Sequence, residues 1–153
     1  MKRFLLVIIA ASTAALPIGV GLTGAYATPS AARSTTVKTA HSGIGRIVVG
    51  STGRTVYLFE ADRRGRSACS GACAAVWPPL LTTGRPHAAN GARASLLGVT
   101  RRADGRRQVT YAKHPLYYYA GDTRPAQTHG QGLNQFGAKW YVLSPSGRKI
   151  DDD

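Results

Sequence analysis

Acidic residues are scarce in this chain. Of 153 residues, 7 are Asp or Glu against 20 Lys or Arg, and Glu60 is the sole glutamate. Three of the seven are the terminal Asp151, Asp152 and Asp153, which read as a solvated tail over 151–153. A catalytic carboxylate pair is thereby reduced to Asp62 with Asp122. Methionine is absent after Met1, which argues against a sulfur-rich soft-metal site. Cysteine is limited to Cys69 and Cys73. Covalent haem attachment is excluded, because Cys-x-x-Cys-His does not occur, and no second Cys/His pair stands at zinc-finger spacing. Gly-x-Ser-x-Gly, His-Glu-x-x-His and the phosphate-binding loop are missing too. With no nucleophile or base in a known pattern, the sequence predicts a non-enzyme with no cofactor.

Only the N-terminus has a long apolar run. Lys2 and Arg3 precede an apolar stretch from Phe4 to Ala15, Pro17 and Gly19 interrupt it, and Ala25-Tyr26-Ala27 has the small-residue pattern of a cleavage site. Residues 1–27 read as an export signal. The rival is an uncleaved anchor, since no charge occurs from Phe4 to Ala32. No cysteine lies near the cut to carry a lipid. Residues 28–44 are rich in Ser, Thr and Ala and are expected to be a flexible linker. Residues 45–150 are expected to form one domain.

Within that domain one short pattern occurs twice, about sixty residues apart. Tyr57-Leu58-Phe59-Glu60-Ala61-Asp62 and Tyr117-Tyr118-Tyr119-Ala120-Gly121-Asp122 both fit Tyr-x-aromatic-x-x-Asp, and Trp77 and Trp140 follow at similar distances. An internal duplication is the natural cause. Two roles remain open for Tyr57, Phe59, Asp62, Tyr117, Tyr119 and Asp122. They form either a shared polar site near a pseudo-twofold axis, or packed aromatics with aspartates capping the turns that follow.

The rest of the chain is β-rich and punctuated by turns. Arg46–Val49, Thr55–Glu60, Leu96–Arg102, Arg106–Ala112, Leu116–Ala120 and Lys139–Ser144 read as strands. Asp104-Gly105 marks a hairpin. A single short helix is expected over Gly71–Val76, stopped by Pro78-Pro79. The expected fold is mainly β: an antiparallel, barrel-like sheet built from two tandem repeats, with that helix beside the cysteines.

Export and an even count make a Cys69–Cys73 disulfide the first reading. It closes a small loop and adds only about 2 kcal/mol. The alternative is a redox or copper site using Cys69 and Cys73 with a histidine such as His87. Arginine forms two clusters, Arg63, Arg64 and Arg66, and Arg101, Arg102, Arg106 and Arg107. With a formal charge of +13, such a surface is drawn to anionic wall or membrane-surface components, or to an envelope protein. Export argues against nucleic acid as the partner.

Together these motifs resemble the bacterial family called the secreted repeat of unknown function. The first copy carries Gly53-x-Thr55-Val56-Tyr57-Leu58-Phe59-x-x-Asp62, Cys69-Ser70-Gly71-Ala72-Cys73 and Trp77-Pro78-Pro79-Leu80. The second carries Gln108-Val109-Thr110-Tyr111, Pro115 to Asp122, Gly130-Gln131-Gly132 and Trp140-Tyr141-Val142. The resemblance implies an exported protein of the cell envelope, with tandem repeats and no established activity. The lipoprotein members have a lipid-attachment cysteine that this chain lacks.

Overall fold

The computed structural model describes residues 34–151. The expected signal at 1–27 lies outside them, as do Asp152 and Asp153 of the acidic tail. Nine strands and two short helical segments occur among the described residues.

The first repeat opens with β1 (Thr36–Ser42) and β2 (Gly45–Gly50), an antiparallel hairpin closed at Ser42 and Gly45. Here the linker expectation is corrected. Thr36 to Ser42 is a full strand, and Val37 is completely buried. Its Ser/Thr-rich composition hid a period of two, buried Val37 and Thr39 against half-buried Thr36, Lys38 and Ala40. A strand with one buried face tolerates polar residues on the other. The motif strand β3 (Tyr57–Phe59) follows, then α1 (Ala72–Val76). The helix stays short because Pro78 and Pro79 cannot donate to its carbonyls.

The strand β4 (His87–Ala88) joins the free edge of β1 in parallel. A 3-10 turn at Ala94–Leu96 leads into the second hairpin, β5 (Leu97–Arg101) and β6 (Arg107–Tyr111). Its loop takes the Asp-Gly form expected: the Asp104 carboxylate accepts from the Arg106 N–H, and Gly105 has φ 81°. After β7 (His114–Pro115), a hairpin of β8 (Asn134–Gln135) and β9 (Ala138–Val142) completes the fold. The strands form three three-stranded sheets, β2-β1-β4, β3-β9-β8 and β5-β6-β7.

The repeats do not stand side by side; they exchange strands. Tyr57 N–H donates to the Tyr117 carbonyl at 2.8 Å, and Tyr117 N–H donates back to the Tyr57 carbonyl at 3.0 Å. Equivalent residues of the two motifs thus pair antiparallel, as a twofold axis between them requires. The flanking contacts repeat the relation. Phe59 pairs with Trp140 on β9, while Tyr118 and Ala120 N–H groups reach the carbonyls of Pro78 and Val76 around Trp77. Each motif is therefore completed by the tryptophan segment of the other repeat.

Both faces of these strands are buried. Val48, Leu58, Tyr141 and Leu143 point into one apolar cluster. Their neighbours Ile47, Tyr57, Phe59, Trp140 and Val142 point into a second, with both cysteines and Trp77. The alternation follows from the period of two.

Candidate functional site

The tyrosine hydroxyls reach across the axis. Tyr57 donates to Asp122 Oδ2 at 2.5 Å, and Tyr117 donates to Asp62 Oδ2 at 2.9 Å. The tyrosine of each repeat is therefore satisfied by the aspartate of the other. Each aspartate also closes the turn behind its own motif: Asp62 Oδ1 accepts from the Ala68 N–H at 2.7 Å, and Asp122 Oδ1 from the His129 N–H at 3.0 Å. Turn capping was legible in the sequence; the crossed tyrosine bonds were not. The two carboxylates sit in separate turns with separate partners, Asp62 with Tyr117 and Ala68 and Asp122 with Tyr57 and His129, and not as a catalytic pair.

These environments shift the proton equilibria. Burial raises Asp62 to about 6 from its ordinary 3.8, against the opposing pull of the Ala68 N–H, the Tyr117 hydroxyl, Arg102 and Arg63. Burial also raises Tyr57 and Tyr117 above the usual phenol range, helped by the carboxylate each one faces. Both tyrosines are neutral donors at any ordinary pH.

A test follows for Asp62. A carboxyl whose folded pKa exceeds its unfolded one contributes stability below pH 3.8, and that contribution fades as pH rises through about 6. Wild type is expected to gain stability relative to Asp62→Asn as pH falls from 7 to 4, by up to ~1.4 kcal/mol per unit. Urea unfolding of both proteins across that range measures it; parallel curves would contradict it.

The ring stack sits between the crossed pairs. Phe59, Trp140, Trp77 and Tyr119 lie one upon the next at centroid spacings of 4.0, 3.9 and 4.4 Å. Both indole N–H groups donate to Gln135, Trp77 to its side-chain oxygen and Trp140 to its carbonyl. Gly130 has to lack a side chain, because a Cβ there would come within 2.7 Å of the Trp77 ring.

Cys69 and Cys73 form a disulfide with Cα atoms 5.3 Å apart, as first read. No thiolate is left to ligate a metal, so the site of Cys69, Cys73 and His87 is withdrawn. His87 lies on β4, paired with β1.

The arginines divide into two kinds. Arg102 was expected on an anion-binding surface, but it is buried at 6% exposure. Its guanidinium donates to Gln108 Oε1 at 2.7 Å, Ser67 Oγ at 2.8 Å and the Cys69 carbonyl at 2.6 Å. An Arg-rich run does not reveal which member turns inward. Here the answer lies in the buried Gln108 of the neighbouring strand, whose amide donates onward to the Leu116 carbonyl. Arg102 ties the second hairpin to the loop after the first motif. Arg102→Ala is expected to cost about 3–5 kcal/mol, since it strands those acceptors. Arg101→Ala, on the exposed face, is expected to stay within about 0.5 kcal/mol; equal losses in thermal melts would contradict this division.

Arg106 is exposed but spoken for, since Nε and Nη2 both donate to Asp104 Oδ2. Its forked bonds hold Asp104 down to about 2. Arg63, Arg64, Arg66, Arg101 and Arg107 are exposed and make no ion pair with a carboxylate among the described residues. Arg64 and Gly65, with φ 51° and 74°, form the two-residue turn that displays the first group.

Comparison with known families now bears on this arrangement. The family model described as a secreted repeat of unknown function matches residues 38–81 and 98–144, one match for each repeat. The chain belongs to that family. Each matched stretch of this secreted repeat holds a whole Tyr-x-aromatic-x-x-Asp motif and its tryptophan, and the structure shows why both halves are needed. No curated protein and no solved structure matches the chain. No helix among the described residues is long and apolar enough to cross a membrane.

Proposed function

We propose that this secreted repeat is a non-catalytic module of the cell envelope that binds an anionic wall polymer through its exposed arginines. The observation that carries the reading is how the charges are distributed. The described acidic side chains are engaged within the domain: Asp62 and Asp122 by the crossed tyrosines, Asp104 by Arg106, and Glu60 and Asp151 by Lys149. Arg63, Arg64, Arg66, Arg101 and Arg107 remain outside without an ion pair among the described residues, and buried Arg102 fastens their two segments together through Ser67 and Cys69. A surface whose positive charge is not internally cancelled attracts polyanions and releases them when salt screens it.

Retention on purified cell walls, followed through a salt series, tests this. Binding is expected at low ionic strength and to fall steeply towards 1 M salt, where the Debye length is about 3 Å. Alanine at Arg63, Arg64, Arg66, Arg101 and Arg107 together should abolish it while leaving the fold intact. Retention that survives both treatments would overturn the reading, and binding to anionic vesicles but not to walls would move the partner to the membrane surface.

A further inference from the structure

Anion binding leaves the aromatic centre of the domain unused. Trp77 and Trp140 face each other at 3.9 Å, with planes 4° from parallel. Tyr57 stands edge-on to Trp77 at 5.3 Å, and Tyr117 stands edge-on to Trp140 at 5.1 Å. The result is a Tyr–Trp–Trp–Tyr series with a carboxylate on the outer hydroxyl at either end. Packing explains the close rings and turn capping takes Oδ1 of each aspartate, but neither calls for a tyrosine hydroxyl on Oδ2. Phenylalanine at both tyrosine positions would fill the same space and leave both caps in place.

We infer that this array relays single electrons, with Trp77 and Trp140 as the conducting pair and Tyr57 and Tyr117 as proton-coupled storage sites. The entry point is Tyr119, the half-buried ring at one end of the stack, 4.4 Å from Trp77. At the other end Phe59 is buried and has no ionisable proton, so it ends the chain.

The steps balance. An extracytoplasmic one-electron oxidant, a high-potential metal complex or a radical by class, takes one electron through Tyr119 and leaves the Trp77–Trp140 pair as a radical cation. Tyr57 then gives one electron to Trp77 and its phenolic proton to Asp122. The products are a neutral tyrosyl radical, a protonated Asp122 and restored tryptophan, with the oxidant reduced by one electron. An extracytoplasmic one-electron reductant, a low-potential metal complex by class, returns the electron to Tyr57 as the proton comes back from Asp122, and the reductant is oxidised by one electron. The 2.5 Å separation of Tyr57 and Asp122 lets the proton move without rearrangement. Tyr117 and Asp62 offer the same step on the other side. Asp122 is fully buried, but the exposed His129 ring stands 3.5 Å from its Oδ1 and gives the proton an outlet.

Flash photolysis of the purified intact chain tests the relay, with a ruthenium tris-bipyridine sensitiser and an external electron acceptor supplying the oxidant. Wild type should show a tryptophan radical that decays as a tyrosyl radical grows, more slowly in D2O. Tyr57→Phe with Tyr117→Phe should lose most of the tyrosyl signal and leave a longer-lived tryptophan radical. Asp122→Asn with Asp62→Asn should slow tyrosyl growth and remove the isotope effect. Near-UV circular dichroism identifies the variants that keep the folded core. A tyrosyl signal unchanged in the double tyrosine variant would overturn the inference. Should that variant fail to fold, wild type decides alone: no tyrosyl growth coupled to tryptophan decay, or no isotope effect, overturns it as well.

Discussion

Neither repeat should fold when expressed alone. A chain cut in the segment between β4 and β5 separates residues 34–90 from 91–151, and each half then lacks what completes its motif. The first half loses β9, the partner of Tyr57, Leu58 and Phe59. It also loses Asp122, the acceptor for the Tyr57 hydroxyl. The second half loses Trp77 and the Val76 and Pro78 carbonyls that pair with Ala120 and Tyr118. Two half-size chains bury too little apolar surface to offset the entropy of ordering their backbones. Each half is expected to show no near-UV circular dichroism and no cooperative melt. Mixing the halves should restore both signals in part, because every lost contact lies between them. A half that melts cooperatively alone would show the repeats to be independent units.

Truncating a central tryptophan should have the next largest effect. Trp77 and Trp140 are both fully buried, and each stacks against the other and against one motif ring. Replacing either with alanine opens a cavity between rings that sheet pairing holds apart, so collapse cannot fill it. The expected loss is about 3–5 kcal/mol, against a total of about 5–15 kcal/mol for a domain of this class. It also strands one Gln135 acceptor. Tyr118→Ala makes the control, because that ring is only half buried and lies over Arg54. Urea unfolding of the three variants measures the difference. A Trp77→Ala protein as stable as Tyr118→Ala would refute a tryptophan-centred core.

Much of this architecture can be read from residues alone. The repeated motif, the Asp104-Gly105 hairpin, the short helix stopped by Pro78-Pro79 and the disulfide each follow from local chemistry. What could not be read is long-range. A Tyr/Asp motif carries the same letters whether its tyrosine bonds its own aspartate or the other repeat's. Only the antiparallel meeting of Tyr57 with Tyr117 decides between them. Arg102 is hidden for a similar reason, because its partners Ser67 and Cys69 lie in the other repeat. β1 was concealed by composition, as Ser and Thr describe a linker and the outer face of a strand equally well.

The exchange between repeats is the centre of the account, and double-mutant cycles test it most directly. Tyr57→Phe combined with Asp122→Ala, and Tyr117→Phe combined with Asp62→Ala, should each show a coupling energy of about 0.5–3 kcal/mol. Tyr57→Phe with Asp62→Ala, and Tyr117→Phe with Asp122→Ala, should add within about 0.5 kcal/mol. Coupling within each repeat and additivity between repeats would contradict the crossed arrangement.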